Sequence, residues 1–198
     1  MKIGILTFHK AHNYGAIFQV YCLQEFLKAQ GINSEIIDYN SFANNHYKLS
    51  NFFRNKSLLK LFVFTLFKFY RVYKRYRIFD IFINKHLNLS QKTISGVSDL
   101  YDISYDVIIL GSDQIWNPRI TNGYDPIYWG AFDTRSKILK ISYAASMESK
   151  DIKDESRVKE LLQSVDVIGV REESLKKLLA PITDKSINVV LDPTFLAG

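Results

Sequence analysis

An unbroken aliphatic run, Val107-Ile108-Ile109-Leu110, ends abruptly in Gly111-Ser112-Asp113-Gln114, within the stretch YDVIILGSDQIWNP. A hydroxyl, a carboxylate and an amide in succession offer donors and acceptors to a polar ligand. The run before them has the pattern of a strand buried on both faces. Open α/β sheets leave their ligand crevice at the carboxyl ends of such strands. A second polar turn, Asn13-Tyr14-Gly15, follows the first apolar run and leads straight into helical periodicity. Asn13 suits an N-cap, Gly15 allows close backbone approach, and the N–H groups at that helix start suit an anion. A tight strand-to-helix turn with solvated histidines accounts for the same residues. Asp38, at the end of SEIIDY, could hold a ribose or sugar hydroxyl or be an ordinary strand-end carboxylate.

These groups need a scaffold, and the hydrophobic pattern supplies one. Strands are expected over Lys2–Phe8, Ser34–Tyr39, Asp106–Leu110, Lys137–Ala144, Asp166–Val170 and Ile187–Leu191. Helical spacing of Ile17, Val20, Leu23 and Leu27 separates the first two, making a βαβ unit. Helices are also expected over Asp151–Ser164 and from Glu172 to Pro181, the second opened by acids as its dipole favours. Each strand ends in small or polar residues, including Ser146 after Ala144-Ala145, Arg171 after Val170, and Asp192-Pro193-Thr194. The expected fold is an α/β, Rossmann-like parallel sheet with helices on both faces. The aromatic segment Trp116 to Phe132 is either a crevice wall suited to sugar rings or a structural flap.

Bulk properties narrow the class. The 198 residues, 47% of them hydrophobic, allow one sizeable core, taken here as a single domain spanning 1–198 with a helical insertion at 42–92. A lone cysteine, Cys22, suits a reducing cytosol. No GxGxxG fingerprint favours a dinucleotide, and no residue pattern resembles a metal site. The net charge of +6 is local: His46 to Lys92 holds eleven Lys and Arg against Asp80, leaving the remainder at −4. That segment fits a helical insertion packing on the domain or on a second subunit. It also fits an amphipathic element on anionic lipid, or a basic–aromatic nucleic-acid surface. No nucleic-acid-binding motif accompanies it, so no nucleic-acid partner is expected.

KIGILTFHKAHNYGAIFQVYCLQ, YDVIILGSDQIWNP, ISYAASM, VREES and VVLDPTFL together resemble the polysaccharide pyruvyl transferase family, over the whole chain. The resemblance implies one half of a two-domain, GT-B-like architecture, with the family's C-terminal half expected to be absent from this chain. It implies transfer from phosphoenolpyruvate to sugar hydroxyls of a cell-surface polysaccharide precursor, with no other cofactor. The partners expected are phosphoenolpyruvate and a sugar or lipid-linked glycan, in the cytoplasm, with 46–92 touching the inner membrane face and self-association open. Arg171, on the family's VRE/D-x-S position, would pair with the donor's anion, with a salt bridge to Glu172 or Glu173 as its competitor. Asp113 would orient or deprotonate an acceptor hydroxyl, with a helix cap as its competitor. Asn13, Tyr14, Gly15, Ser112, Gln114 and Ser146 are the lining candidates. This chain alone is expected to be folded but catalytically silent. The readings from other classes are a non-catalytic glycan-binding or interaction module, and half of a GT-B-type glycosyltransferase.

Overall fold

A computed structural model describes residues 1–43 and 69–196. Six parallel strands form its sheet: β1 (Lys2–Leu6), β2 (Asn33–Ile36), β3 (Val107–Leu110), β4 (Leu139–Ala145), β5 (Val167–Val170) and β6 (Ile187–Val189). Their order is β2-β1-β3-β4-β5-β6. The helices are α1 (Tyr14–Ala29), α2 (Phe69–His86), the single-turn α3 (Pro118–Thr121), α4 (Glu155–Gln163) and α5 (Glu173–Leu179). This is the expected α/β, Rossmann-like arrangement. Of the 42–92 insertion, the described part includes α2; residues 44–68, with most of the apolar run Ser57–Tyr70, lie outside the described residues.

Alternation along β1 and β3 separates two cores. Ile3, Ile5 and Ile109 join Ile17, Val20, Leu23 and Leu27 of α1 and Phe79 and Ile83 of α2 on one face. Leu6, Ile108 and Leu110 join the aromatic segment, α4 and α5 on the other. Side chains of a strand point alternately to opposite faces, so an all-apolar strand must be covered on both. Asn13 caps α1, its side-chain oxygen accepting from Gly15 N at 2.9 Å.

Two further segments complete the domain. The segment that follows α2 helps to cover the β2 edge. Ser90 N donates to Ile36 O and Ile94 N to Asp38 O, both at 2.8 Å, with bridges at Leu89 and Ile94. An exposed edge would template pairing with another chain, and this segment closes it. The aromatic segment is a structural flap. Trp116, Tyr128 and Trp129 are fully buried, and the two indoles stack at 4.3 Å. Lys140 of β4 fastens it by donating to the carbonyls of Gly130 (2.7 Å) and Phe132 (2.6 Å).

Asp38 is committed to the scaffold. Its carboxylate accepts from His9 Nε2 (3.0 Å), Thr93 Oγ1 (2.8 Å) and Lys10 Nζ. The bond from buried His9 is the main reason its pKa lies well below the ordinary carboxylate range; burial opposes this, and Lys10 and Thr93 add to it. A carboxylate with a depressed folded pKa stabilises above its unfolded pKa, near 4, and that contribution is lost as pH falls through the depressed range. Asp38→Asn should therefore lose about 2–3 kcal/mol at neutral pH, since buried His9 and the Lys10 ammonium lose a charged partner. Urea unfolding at stepped pH checks this: the variant's stability should fall less than the wild type's between about pH 4 and pH 2.

Candidate active site

The strand order reverses direction between β1 and β3, the usual place for a crevice in such a sheet. Here that position is filled by protein. Thr7 Oγ1 donates to the Ser112 carbonyl (2.7 Å), Ser112 Oγ donates to Gln19 Oε1 (2.5 Å), and Gln19 Nε2 donates to Thr7 Oγ1 (3.2 Å). All three residues are buried, so each polar group must find its partner within the protein, and Gln19 Nε2 also donates to Ala16 O at 2.9 Å. Ser112 is thus held inside the domain, with its hydroxyl bonded to α1.

The open cleft lies farther along the same edge, beyond β3, β4 and β5. Gly111 has φ 116° and lies so close to β4 that a Cβ would stand 2.4 Å from the Tyr143 carbonyl oxygen. Asp113 (φ 78°) and Ala144 (φ 50°) also adopt left-handed backbone. Asp tolerates that region, whereas for Ala it costs roughly 1–2 kcal/mol. β4 shifts register between Ser142 and Ala145, where Ser142 Oγ accepts from Gly169 N at 3.0 Å. Beyond that irregularity the backbones stay paired: Ser146 N donates to Asp113 O (3.0 Å) and Arg171 N to Ala145 O (3.1 Å). Such bulges re-aim side chains, and this one sets Ser146 and Arg171 side by side.

Arg171 is the hub of the cluster. Its Nε donates to Glu172 Oε1 (2.9 Å), Nη1 to Asp192 Oδ2 (3.1 Å) and Nη2 to Ser146 Oγ (3.0 Å). Ser146 Oγ in turn donates to Glu172 Oε1 at 2.7 Å. A guanidinium has five N–H donors, so these bonds leave two. Glu172 Oε2 is buried without a hydrogen-bond partner. Burial pushes the Asp113 carboxyl above its ordinary range; the Gln114 N–H and the Arg171 charge offset part of this, and Asp192 adds to it.

Gln114, Ser146, Arg171 and Glu172 line a cleft of about 730 Å³, together with Arg119 and Lys150. The sheet edge therefore gathers Asp113, Gln114, Ser146 and Arg171. Asn13, Tyr14 and Gly15 do not line this cleft: Asn13 is used as a cap, and Tyr14, 74% exposed, leans its ring on Phe79 at 4.8 Å. Of the salt bridges anticipated for Arg171, Glu172 supplies one, and Asp192 takes the place of Glu173.

The family described as polysaccharide pyruvyl transferase matches residues 13–198. The chain belongs to that family. Its members are transferases, and the family implies a sugar or glycan acceptor. Neither curated proteins nor solved structures provide a match. The match with the pyruvyl transferase family covers all three cleft segments and Asp192. Sequence reasoning gave Glu172 only as a competing partner for Arg171 and missed Asp192 as a member of the cluster. Their signal was positional, since they stand at or beside the polar residues that end β5 and β6. Arg119 and Lys150 gave no such signal, because only the folded loops bring them to the cleft. Among the described residues, no group of His, Cys, Asp and Glu is arranged to hold a metal ion.

The Asp113 environment makes a signed prediction. A carboxyl with a raised folded pKa costs stability as pH rises from its unfolded pKa through the folded one, and costs nothing below both. Asp113→Asn keeps the shape and tolerates the left-handed backbone. It should melt above the wild type at pH 7 and lose that advantage as the pH falls towards about 4. Calorimetric melting at the two pH values checks this.

Proposed function

We propose that this chain provides one wall of a pyruvyl transferase cleft. In this reading phosphoenolpyruvate is the donor, and a sugar or lipid-linked glycan in cell-surface polysaccharide synthesis is the acceptor, in the cytoplasm and at the inner face of the membrane. The observation that carries it is the Ser146–Arg171–Glu172 cluster on one cleft, with Asp113 paired to the Ser146 backbone beside it, within a chain of this family. Overall, two sugar hydroxyls add to C2 of the enolpyruvyl group, C3 gains a proton and becomes a methyl, and inorganic phosphate leaves. One hydroxyl proton is accounted for at C3 and the other on the phosphate, so the ketal and phosphate balance the reactants.

Each role follows from chemistry available at the cleft. The two remaining Arg171 N–H groups, with Arg119 and Lys150, are cationic donors for the carboxylate or phosphate of the donor. Glu172 and Asp192 hold the guanidinium plane, so little orientational freedom remains to be lost on binding. Gln114 and Ser146 on the cleft wall offer polar groups to a sugar hydroxyl. Asp113 is the group to orient or deprotonate that hydroxyl, because its raised pKa moves it towards the range where a carboxylate is an effective base. The cleft is open on the side away from the sheet, so the donor is held from one side and water is not excluded. By itself the chain should bind the donor weakly and turn it over little.

Calorimetric titration with phosphoenolpyruvate tests the donor half. The expectation is weak, saturable binding that competes with inorganic phosphate and drops roughly tenfold or more in Arg171→Lys, since charge-assisted bonds are worth about 1.5–3 kcal/mol. Unchanged binding by the variant would remove Arg171 from the donor site. Phosphate release with a panel of free and lipid-linked glycans tests the other half. Background release is expected, and robust acceptor-dependent release would mean that this cleft suffices and that the roles need redrawing.

A further inference from the structure

We infer that the outer face of α2 is a docking surface for an anionic membrane. The helix has two different sides. Phe79 and Ile83 are buried against α1 and β1, and Tyr76, also buried, and Phe79 pack on the His12 ring at 4.4 Å and 5.4 Å. At 100° per residue, Tyr70, Lys74, Arg77, Ile78, Ile81 and Lys85 fall within an arc of roughly 100° on the opposite side.

That outer side is neither a solvated charged face nor a packing face. Ile78 and Ile81 are 52% and 54% exposed, Tyr70 is 72% exposed, and the three cations interleave with them. No carboxylate pairs with Lys74, Arg77 or Lys85 among the described residues. Asp80, the helix's one acid, lies on the flank and is bonded to His12 Nε2 at 3.1 Å. A protein partner could take the isoleucines but would need its own matching carboxylates. An anionic bilayer supplies both halves at once: headgroup charge for the lysines and arginine, and an acyl boundary for isoleucine and tyrosine side chains. Polybasic surface segments gain about 1 kcal/mol per Lys or Arg near such a surface.

The helix is placed to serve this role without blocking the cleft. No α2 residue lines the cleft formed by 114–119, 146–151 and 171–174. No helix among the described residues is long and apolar enough to cross a membrane, so contact through α2 would be peripheral. The inference rests on the helix surface and is independent of the transfer chemistry.

Co-sedimentation of the 198-residue chain with vesicles tests it, using phosphatidylcholine alone and phosphatidylcholine mixed with phosphatidylglycerol. Binding is expected only to the mixed vesicles and should fall about tenfold or more between about 0.1 M and 0.5 M salt, as screening shortens the reach of charge. The double substitution Lys74→Glu with Arg77→Glu should weaken binding about tenfold or more. Ile78→Ser with Ile81→Ser should weaken it as well, which a purely electrostatic association would not. Lys159→Glu with Lys177→Glu makes the same change in net charge on α4 and α5 and should leave binding intact. These positions are exposed, so circular dichroism and melting should be unchanged. Equal binding to neutral vesicles, indifference to the α2 substitutions, or binding to a homopolymer RNA with none to vesicles would each overturn the proposal. Phosphate release towards soluble glycans is read separately, so loss of vesicle binding leaves the pyruvyl transfer reading standing.

Discussion

The buried triangle of Thr7, Ser112 and Gln19 determines how the carboxyl edge of the sheet is used. Three polar residues with almost no water contact bond to one another, and each comes from a different place: the end of β1, the end of β3, and α1. Leaving one such group without a partner would cost about 1–3 kcal/mol. The triangle therefore fixes the exit of β3 and fills the position where the strand order reverses. The space available to a ligand moves along the edge, towards the ends of β4 and β5.

From that fixed exit the cluster is laid out by backbone pairing rather than by side-chain reach. Asp113 meets Ser146, Ala145 meets Arg171, and Val170 meets Val190, each through a main-chain hydrogen bond just past or at the strand ends. The left-handed backbone at Asp113 and Ala144 is held because the surrounding pairing over-determines it. Arg171 ties three carboxyl-edge segments together and keeps a share of its donors. The cluster is balanced rather than cationic: Arg171, Arg119 and Lys150 face Glu172, Glu148 and Asp151 around the cleft. Such a lining suits a ligand that combines an anionic group with neutral hydroxyls better than a lone polyanion.

The same economy governs α2. One side supplies hydrophobic contacts to α1 and β1 that the isolated βαβ unit lacks, and stacks on His12 from the β1–α1 loop. Burial pulls the His12 imidazole below its ordinary range, while the Asp80 carboxylate works the other way. The helix is thus anchored by ring packing that does not require a charged histidine, and its basic side remains directed outward.

The sequence by itself determined the strands, their covering helices and the edge on which polar chemistry gathers. VIIL must be buried on both faces, Ile17, Val20, Leu23 and Leu27 must share a helical side, and Ser112, Asp113, Gln114, Ser146 and Arg171 must follow strand ends. Those conclusions rest on periodicity, which is local. Tertiary structure decided which of these polar residues turn inward and which face the cleft. Ser112 and Asp113 are neighbours in sequence, yet one bonds into the domain through Gln19 and the other pairs with the end of β4, because the backbone reverses hand between them. Asp192 reaches Arg171 for a similar reason: β5 and β6 are neighbours in the sheet although Arg171 and Asp192 lie 21 residues apart. The aromatic segment was ambiguous because composition says that rings must be covered without saying by what. Lys140 and the stacked indoles answer that through contacts whose partners are distant in sequence, and only folding brings them together.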